Sequence, residues 1–180
     1  GLLPLVTGQV NQLIRQIPSM VGVAQNQLVQ LPDRYPGLIS WKTQPGGGTT
    51  DYAVEIYQEA LNSGAYQCFV SRDTRLPMMY MDDAISATLQ LMDVPAERIG
   101  VRTSYNLGAV SFTPAQMAES IREELPDFQI SYKPDYRQEI ADTWPESIDD
   151  SKAREEWGWQ HRFGLEEITR EMLSRLRANS

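Results

Sequence analysis

The sequence predicts an α/β fold, because short apolar runs typical of strands alternate with amphipathic helical patterns over residues 34–176. The run RYPGLISW at 34–41 precedes a glycine-rich turn and a helical pattern, and a second strand-like run at 66–70 precedes further helices. With 180 residues, 41% of them hydrophobic, the chain is long enough for one domain with a buried core.

The first predicted helix spans residues 49–61. An oxygen of Thr49 or Thr50 can cap the amides at its start, and the Asn-Ser-Gly run at 62–64 supplies a stop. Its apolar residues recur at helical spacing and are Ala53, Ile56, Tyr57, Ala60 and Leu61.

Three consecutive glycines, Gly46 to Gly48, precede this helix. Bare amides and the helix dipole can hold an anion there, but a phosphate-binding loop would continue with a lysine that this sequence lacks. Two interpretations remain open: a flexible connector, which is favoured because glycine is common in turns, and an anion site.

The remaining elements follow in order. Pro77 indicates an extended segment at 76–81, and Asp82 or Asp83 would cap the helix after it, at 82–92. Further on, Thr113, Pro114 and Gln116 form a capping box. The other predicted elements are strands at 102–107 and 128–132 and helices at 113–125, 151–157 and 165–176.

Charge and cysteine content limit the possible functions. A net charge of −8 and a pI near 4.7 argue against binding to nucleic acid or to anionic membranes, both of which require clustered basic residues. The single cysteine, Cys68, lies in an apolar run and is interpreted as a buried, inert thiol in a reducing cytoplasm. Chemistry on small molecules is the expectation that remains.

No metal site is predicted. His161 has no further histidine, cysteine or carboxylate at zinc-ligand spacing. The neighbouring Asp149 and Asp150 suggest either a carboxylate pair for acid/base or Mg²⁺ chemistry, or capping of the helix that follows, and capping is favoured.

Residues 1–33 differ in composition from the rest, since only Arg15 and Asp33 are charged. The segment has neither a basic leader before an apolar stretch nor an unbroken apolar run of about 18 residues, so it predicts neither a signal peptide nor a membrane span. The chain contains no Gly-x-x-Gly-x-x-Gly motif, and no tyrosine is followed four positions later by lysine.

Several blocks of residues 34–176 resemble the NAD-dependent L-threonine 3-dehydrogenases of the extended short-chain dehydrogenase/reductase type. They are RYPGLIS, PGGGTTDYAV, DTRLPMMYMDDAI, SYN with SFTP, IADTWPESIDDS and WGW, in that order. The resemblance covers only what is the C-terminal half of that family. It implies a partial Rossmann-like fold, mainly the substrate-binding lobe, at 34–180, with 1–33 as an unmatched N-terminal segment.

The resemblance implies oxidation of the β-hydroxyl of L-threonine to 2-amino-3-oxobutanoate with NAD as the hydride acceptor. The family's base is a tyrosine beside a lysine, and that pair is absent, so no catalytic residue is assigned and the chain alone is expected to be inactive and to bind NAD weakly. The cofactor-binding residues that it implies are Tyr35, Pro36, Gly37 and Leu38. The substrate-binding residues that it implies are Thr49, Thr50, Arg75 and Trp144.

Structural interpretations compete with two of these assignments. The segment 35–38 is equally compatible with a plain Pro-Gly turn, and Trp144 is equally compatible with buried packing or a lid over the substrate.

Three functions remain open: part of a threonine dehydrogenase, a nucleotide-sugar epimerase or dehydratase, and a non-enzymatic interaction module. A nucleotide-sugar enzyme would need basic residues for a pyrophosphate, and only Arg75 is suitably placed. The expected partner is a small amino-acid substrate, the resemblance implies a homodimer, and self-association of this chain is expected.

Overall fold

The computed structural model describes residues 34–101 and 103–179, which form two small sheets and six α-helices within those ranges. The strands are β1 (Gly37–Ile39), β2 (Ala65–Cys68), β3 (Leu76–Tyr80), β4 (Val110–Phe112) and β5 (Gln129–Tyr132). The helices are α1 (Tyr52–Asn62), α2 (Met81–Asp93), α3 (Pro114–Glu124), α4 (Tyr136–Ala141), α5 (Ser151–Trp157) and α6 (Leu165–Ala178). The predicted α/β class is confirmed.

The first sheet has the order β1-β3-β4 and the second pairs β2 with β5. β1 runs parallel to β3 with Leu38 opposite Met79, while β4 runs antiparallel to β3. Parallel strands need a crossover connection, and α1 lies in the segment that joins β1 to β3. The β2 and β5 strands are also parallel.

Strand β3 is buried along its whole length and separates two apolar clusters. Met78 and Tyr80 face the larger cluster, and Met79 between them faces the smaller one, as the two-residue repeat of a strand requires. The larger cluster packs α1, α3 and α6 over the sheets, and the smaller one packs α2 and α5 against the opposite face. The position of β3 explains why its sequence is apolar without alternation.

A buried chain of hydroxyls ties three helices of the larger cluster together. The Tyr57 hydroxyl of α1 and the Thr169 hydroxyl of α6 lie 3.0 Å apart, and Ser120 of α3 donates to Thr169 over 2.9 Å. Buried polar groups are costly unless they are paired, so these contacts fix the helices in one arrangement.

Most of the predicted elements are confirmed. The capping box of α3 forms as predicted: the Thr113 hydroxyl accepts from the Gln116 amide, and the Gln116 side chain accepts from the Thr113 amide. Gly64 and Gly158 follow α1 and α5 with φ values of +69° and +77°, the left-handed conformation that ends helices.

Three sequence expectations are wrong. Residues 103–107 form no strand, and only a single bridge joins Asn106 to Arg34. The N-cap of α2 is Tyr80, not Asp82 or Asp83, and the N-cap of α1 is Asp51 without any side-chain cap from a threonine. The sequence analysis also missed α4 and the three-residue strand β4.

Asp83 makes long-range contacts instead of capping α2. Its side chain is 1% exposed, and its carboxylate accepts hydrogen bonds from the backbone amides of Arg162 and Phe163, each over 3.0 Å. The Arg162 guanidinium adds an ion pair at 3.3 Å. The carboxylate therefore anchors the segment between α5 and α6 to the start of α2.

Asp149 and Asp150 serve the start of α5. Asp149 accepts from the Ser151 amide over 3.0 Å, which lowers the pKa of its carboxyl, and Asp150 pairs with Arg154 over 2.7 Å. Within residues 34–101 and 103–179, no group of three or more potential metal-binding side chains is found. No helix in those ranges is both long and apolar enough to cross a membrane.

We expect Asp83→Ala to lower the free energy of unfolding by about 2–4 kcal/mol, because it removes a buried carboxylate that accepts from two backbone amides and pairs with Arg162. Chemical denaturation measures the change. Asp82→Ala is the matched control, since Asp82 lies in the same turn but is exposed, and it should change stability by less than about 0.5 kcal/mol. Equal losses in the two variants would contradict the anchoring role of Asp83.

Candidate functional site

Two of the predicted site segments meet where β1 begins. A Cβ atom built on Gly37 would lie 2.8 Å from Thr50 Cγ2 and 2.5 Å from Met78 Sδ. Both distances are shorter than van der Waals contact, so only glycine lets the threonine loop and β3 approach β1 this closely. The predicted cofactor segment 35–38 and the predicted substrate residue Thr50 are therefore direct neighbours.

Thr49 and Thr50 present unused hydrogen-bond donors. Their residues are only 8% and 7% exposed, yet within the described ranges neither the amide nor the hydroxyl of either residue has a hydrogen-bond partner. Neither hydroxyl is among the fully buried oxygens that lack a partner, so both reach the surface. Two amides and two hydroxyls without partners thus lie just before the N-terminal end of α1, where the helix dipole favours negative charge.

Two of the three glycines before these threonines, Gly46 and Gly48, do not offer their amides to a ligand. The amides of Gly46 and Gly48 donate to one carboxylate oxygen of Asp51, over 2.7 Å and 2.8 Å. Gly47 between them has φ +91°, a conformation that favours glycine. The anion that such a loop attracts is supplied here by the chain itself.

The side chains of Tyr35 and Leu38 pack on the face of the sheet opposite Thr50. The Tyr35 hydroxyl bonds with Thr88 of α2, and Leu38 belongs to the smaller apolar cluster. Thr88 donates its own hydrogen to the Ala84 carbonyl, so Tyr35 is the donor in the first of these bonds. A ligand beside Thr50 would therefore meet this segment at the backbone of Gly37.

Arg75 is committed to the junction between β4 and α3. Its guanidinium donates to the Ser111 carbonyl over 2.7 Å and to the Gln116 side chain over 3.2 Å. Since Gln116 also completes the capping box of α3, Arg75 stabilises that junction. The structure does not bring this guanidinium together with Thr49 or Thr50 through any contact, and its role toward a substrate stays a prediction.

Trp144 follows α4 and is partly buried against the larger apolar cluster. Its backbone amide donates to the Ala141 carbonyl over 3.0 Å, which fixes the turn after α4. Packing against the cluster therefore explains why part of the Trp144 side chain is buried. Its role as a lid over the substrate stays a prediction.

The titratable groups of the larger cluster are held in their neutral forms. Burial raises the pKa of the Cys68 thiol to about 11, so this residue is a poor nucleophile at neutral pH. Burial also raises the pKa of Tyr52, whose hydroxyl has no partner within the described ranges, and that of Tyr57. An activated tyrosinate needs the opposite shift.

The sequence analysis placed Thr49, Thr50 and Gly37 in the site. It missed the role of Asp51 and the close approach of Met78 to Gly37. A carboxylate three residues after a glycine was the available signal for Asp51, because Asp side chains commonly bond nearby amides in turns. No local pattern could reveal the contact with Met78, which joins residues 41 positions apart in sequence.

The arrangement of the strands and the crossover helix defines the class of protein. A parallel β1–β3 pair joined through α1, with unpaired donors at the N-terminal end of that helix, is an α/β architecture of the Rossmann-like type. No protein-family model matches the chain.

Within that class, the chain is similar to L-threonine 3-dehydrogenases, so the resemblance is confirmed. The mitochondrial L-threonine 3-dehydrogenase of Sus scrofa is 53% identical over 142 residues, which are 78% of this chain and 38% of the relative. The crystal structure of L-threonine dehydrogenase from Phytophthora infestans is 54% identical with a TM-score of 0.80, over 82% of this chain and 48% of that one.

A third similar protein is the GalE-like L-threonine dehydrogenase from Cupriavidus necator, in its apo form. It is 58% identical with a TM-score of 0.78, over 80% of this chain and 52% of that protein. The chain therefore spans about half or less of the length of the relatives that it matches.

We expect Gly37→Ala to destabilise the protein by about 1–3 kcal/mol, because the added methyl group overlaps Thr50 and Met78. Thermal or urea unfolding measures the loss. Adding Thr50→Ser to the Gly37→Ala variant removes the overlapping Cγ2 atom and should restore part of the lost stability. Gly46→Ala is the control, since a Cβ there meets no atom within 4 Å; if the two alanine variants lost the same stability, the close approach would not be the cause.

Proposed function

We propose that this chain supplies the substrate-side part of an NAD-dependent L-threonine 3-dehydrogenase. The reaction oxidises the β-hydroxyl of L-threonine to the ketone of 2-amino-3-oxobutanoate and transfers hydride to NAD. The observation that carries the proposal is the contact of Thr50 with Gly37, since it joins the proposed substrate loop to the proposed cofactor segment. Identities of 53–58% to threonine dehydrogenases support the assignment.

The carboxylate of the amino acid would bind at Thr49 and Thr50. Their amides and hydroxyls are donors without partners in the described part of the chain, and a carboxylate is an acceptor that can use several of them at once. The positive end of the α1 dipole adds to the attraction. Substrate bound there would lie beside Gly37.

The cofactor fits the described residues only at its nicotinamide end. When bound, NAD accepts the hydride, and the backbone at Tyr35, Pro36, Gly37 and Leu38 would line that end. The glycine loop does not fit the pyrophosphate, because the amides of Gly46 and Gly48 already bond Asp51.

None of the tyrosines with a perturbed pKa suits the role of base. Burial raises the pKa of Tyr66, Tyr80, Tyr105 and Tyr132, as it does that of the two tyrosines of α1. Such groups stay protonated at neutral pH and cannot accept the hydroxyl proton. We therefore propose no catalytic residue within this chain.

The nucleotide-sugar alternative is weaker. Arg75, the one basic residue suited to a pyrophosphate, is engaged by Ser111 and Gln116. The proposed partners follow from the resemblance to threonine dehydrogenases. They are a second copy of the chain, in a homodimer, and a small amino-acid substrate. A cytoplasmic location stays a prediction, and the Sus scrofa relative is named as mitochondrial.

We expect purified chain 1–180 to produce no threonine-dependent NADH and to bind NAD weakly, because it contains no Tyr-x-x-x-Lys pair and no Gly-x-x-Gly-x-x-Gly motif. Absorbance of NADH and calorimetric titration with NAD measure the two properties. Robust turnover would show that another residue of this chain serves as the base.

We expect activity to appear when residues 34–180 are joined to the N-terminal half of a threonine dehydrogenase, which brings the missing motifs. Within that graft, Thr50→Val should cost about 1–3 kcal/mol of transition-state stabilisation, mostly as a higher KM for threonine, because it removes one donor to the carboxylate. Steady-state kinetics measure the change.

Thr103→Val, at an exposed threonine, is the control for that graft and should leave the kinetics unchanged. An active graft that tolerates Thr50→Val equally well would show that the substrate binds elsewhere.

A further inference from the structure

The carboxylate of Asp51 occupies the position in the glycine loop that a bound anion would take. One of its oxygens, Oδ2, accepts from the amides of both Gly46 and Gly48, over 2.7 Å and 2.8 Å. Successive amides that converge on one point form an anion-binding concavity, and such bonds to a charged acceptor are the stronger kind. Asp51 forms no ion pair with a basic side chain in the described ranges, so these amides are its principal partners.

Asp51 also holds the two ends of the loop together. Its backbone amide donates to the Gly48 carbonyl over 3.2 Å, and its own carbonyl accepts from Val54 and Glu55 of α1, each over 2.9 Å. The residue is 9% exposed, whereas Gly46 and Gly47 are exposed. The side chain therefore ties a solvent-facing loop to a fixed helix.

The two residues between the loop and Asp51 are Thr49 and Thr50. Their backbone runs from Gly48, held by the Asp51 carboxylate, to Asp51 itself, so both of its ends are fixed by one residue. Thr50 is further confined by its contact with Gly37. Donors whose backbone is fixed in advance bind a ligand without an added cost of ordering.

We propose that Asp51 is a positioning residue: its carboxylate acts as an internal anion that saturates the amides of Gly46 and Gly48, holds loop 46–48 against the start of α1, and leaves Thr49 and Thr50 as the donors for a substrate carboxylate. The last part rests on the proposed function, whereas the first two parts concern the chain alone. A further consequence is that removal of the carboxylate exposes a site for small free carboxylates at Gly46 and Gly48.

The test uses isotope-labelled chain 1–180 and its variants Asp51→Ala and Asp51→Asn, with hydrogen exchange of the Gly46 and Gly48 amides measured by NMR. Exchange at both amides should be at least tenfold faster in Asp51→Ala than in the original chain. Asp51→Asn retains one acceptor oxygen and should fall between them. Asp149→Asn is the matched control, because Asp149 accepts one local amide at the start of α5 and should not affect the loop.

Chemical rescue separates an internal anion from a general structural role. Added acetate should slow exchange at Gly46 and Gly48 in Asp51→Ala, with saturation, and should have no such effect on the original chain. Chloride at equal ionic strength is the control for salt. Failure of acetate to restore protection, or equal exchange rates in all variants, would overturn the proposal.

A titration of the original chain with L-threonine tests the part that depends on the proposed function. Chemical shifts should change at Thr49 and Thr50 and not at Gly46 and Gly48. Shifts at the glycines alone would overturn the role of Asp51. No shift at any of the four, with intact acetate rescue in Asp51→Ala, would refute substrate binding at the threonines while leaving the internal anion established.

Discussion

The close approach of Thr50 to Gly37 is the constraint on which the arrangement of the candidate site depends. A side chain at residue 37 would overlap both Thr50 and Met78, so the loop before α1 can lie against β1 only because residue 37 is glycine. The same contact fixes three parts of the chain at once: the start of β1, the middle of β3 and the N-terminal end of α1. Helix α1 is in turn fixed at its middle by the buried hydroxyl chain through Tyr57, so the loop before it rests on a fixed helix. The site is therefore a product of packing rather than of flexible surface segments.

The sequence predicted most of the elements because their signals are local. The capping box of α3, the glycine after α5 and the apolar stripes of α1 and α6 depend on residues within a few positions of each other, and all of them form. The strand expected at 102–107 is wrong because a strand needs a partner along its length, and within residues 103–107 only Asn106 has one, at Arg34. Strand β4 was missed for the opposite reason: three residues give little periodicity, and its pairing with β3 stabilises it.

The carboxylates show where local reasoning stops. The N-cap rule predicted that Asp82 or Asp83 would cap α2, yet the buried carboxylate of Asp83 accepts from amides about 80 positions later in the chain. Asp51 likewise turns back to the glycine loop instead of capping α1. In both cases the amides at the helix start compete with other donors for one carboxylate. The carboxylate bonds two amides at once in each case, which a cap on a single helix amide does not offer. Such outcomes depend on tertiary contacts and cannot be read from spacing.

The two apolar clusters on either side of β3 explain how residues 34–179 can hold Thr50 beside Gly37. Thr50 and Met78 both approach Gly37, and the side chain of Met78 faces the larger cluster. That cluster draws its members from both sheets and from α1, α3 and α6. These elements all lie within residues 37–178. The residues that support the loop at Thr49 and Thr50 therefore belong to the described part of the chain. The segment 35–38 belongs partly to the other face, since Leu38 and Tyr35 pack with α2 in the smaller cluster. Thr50 and the side chains of Tyr35 and Leu38 thus lie on opposite faces of one strand pair, and Thr50 approaches the proposed cofactor segment at Gly37.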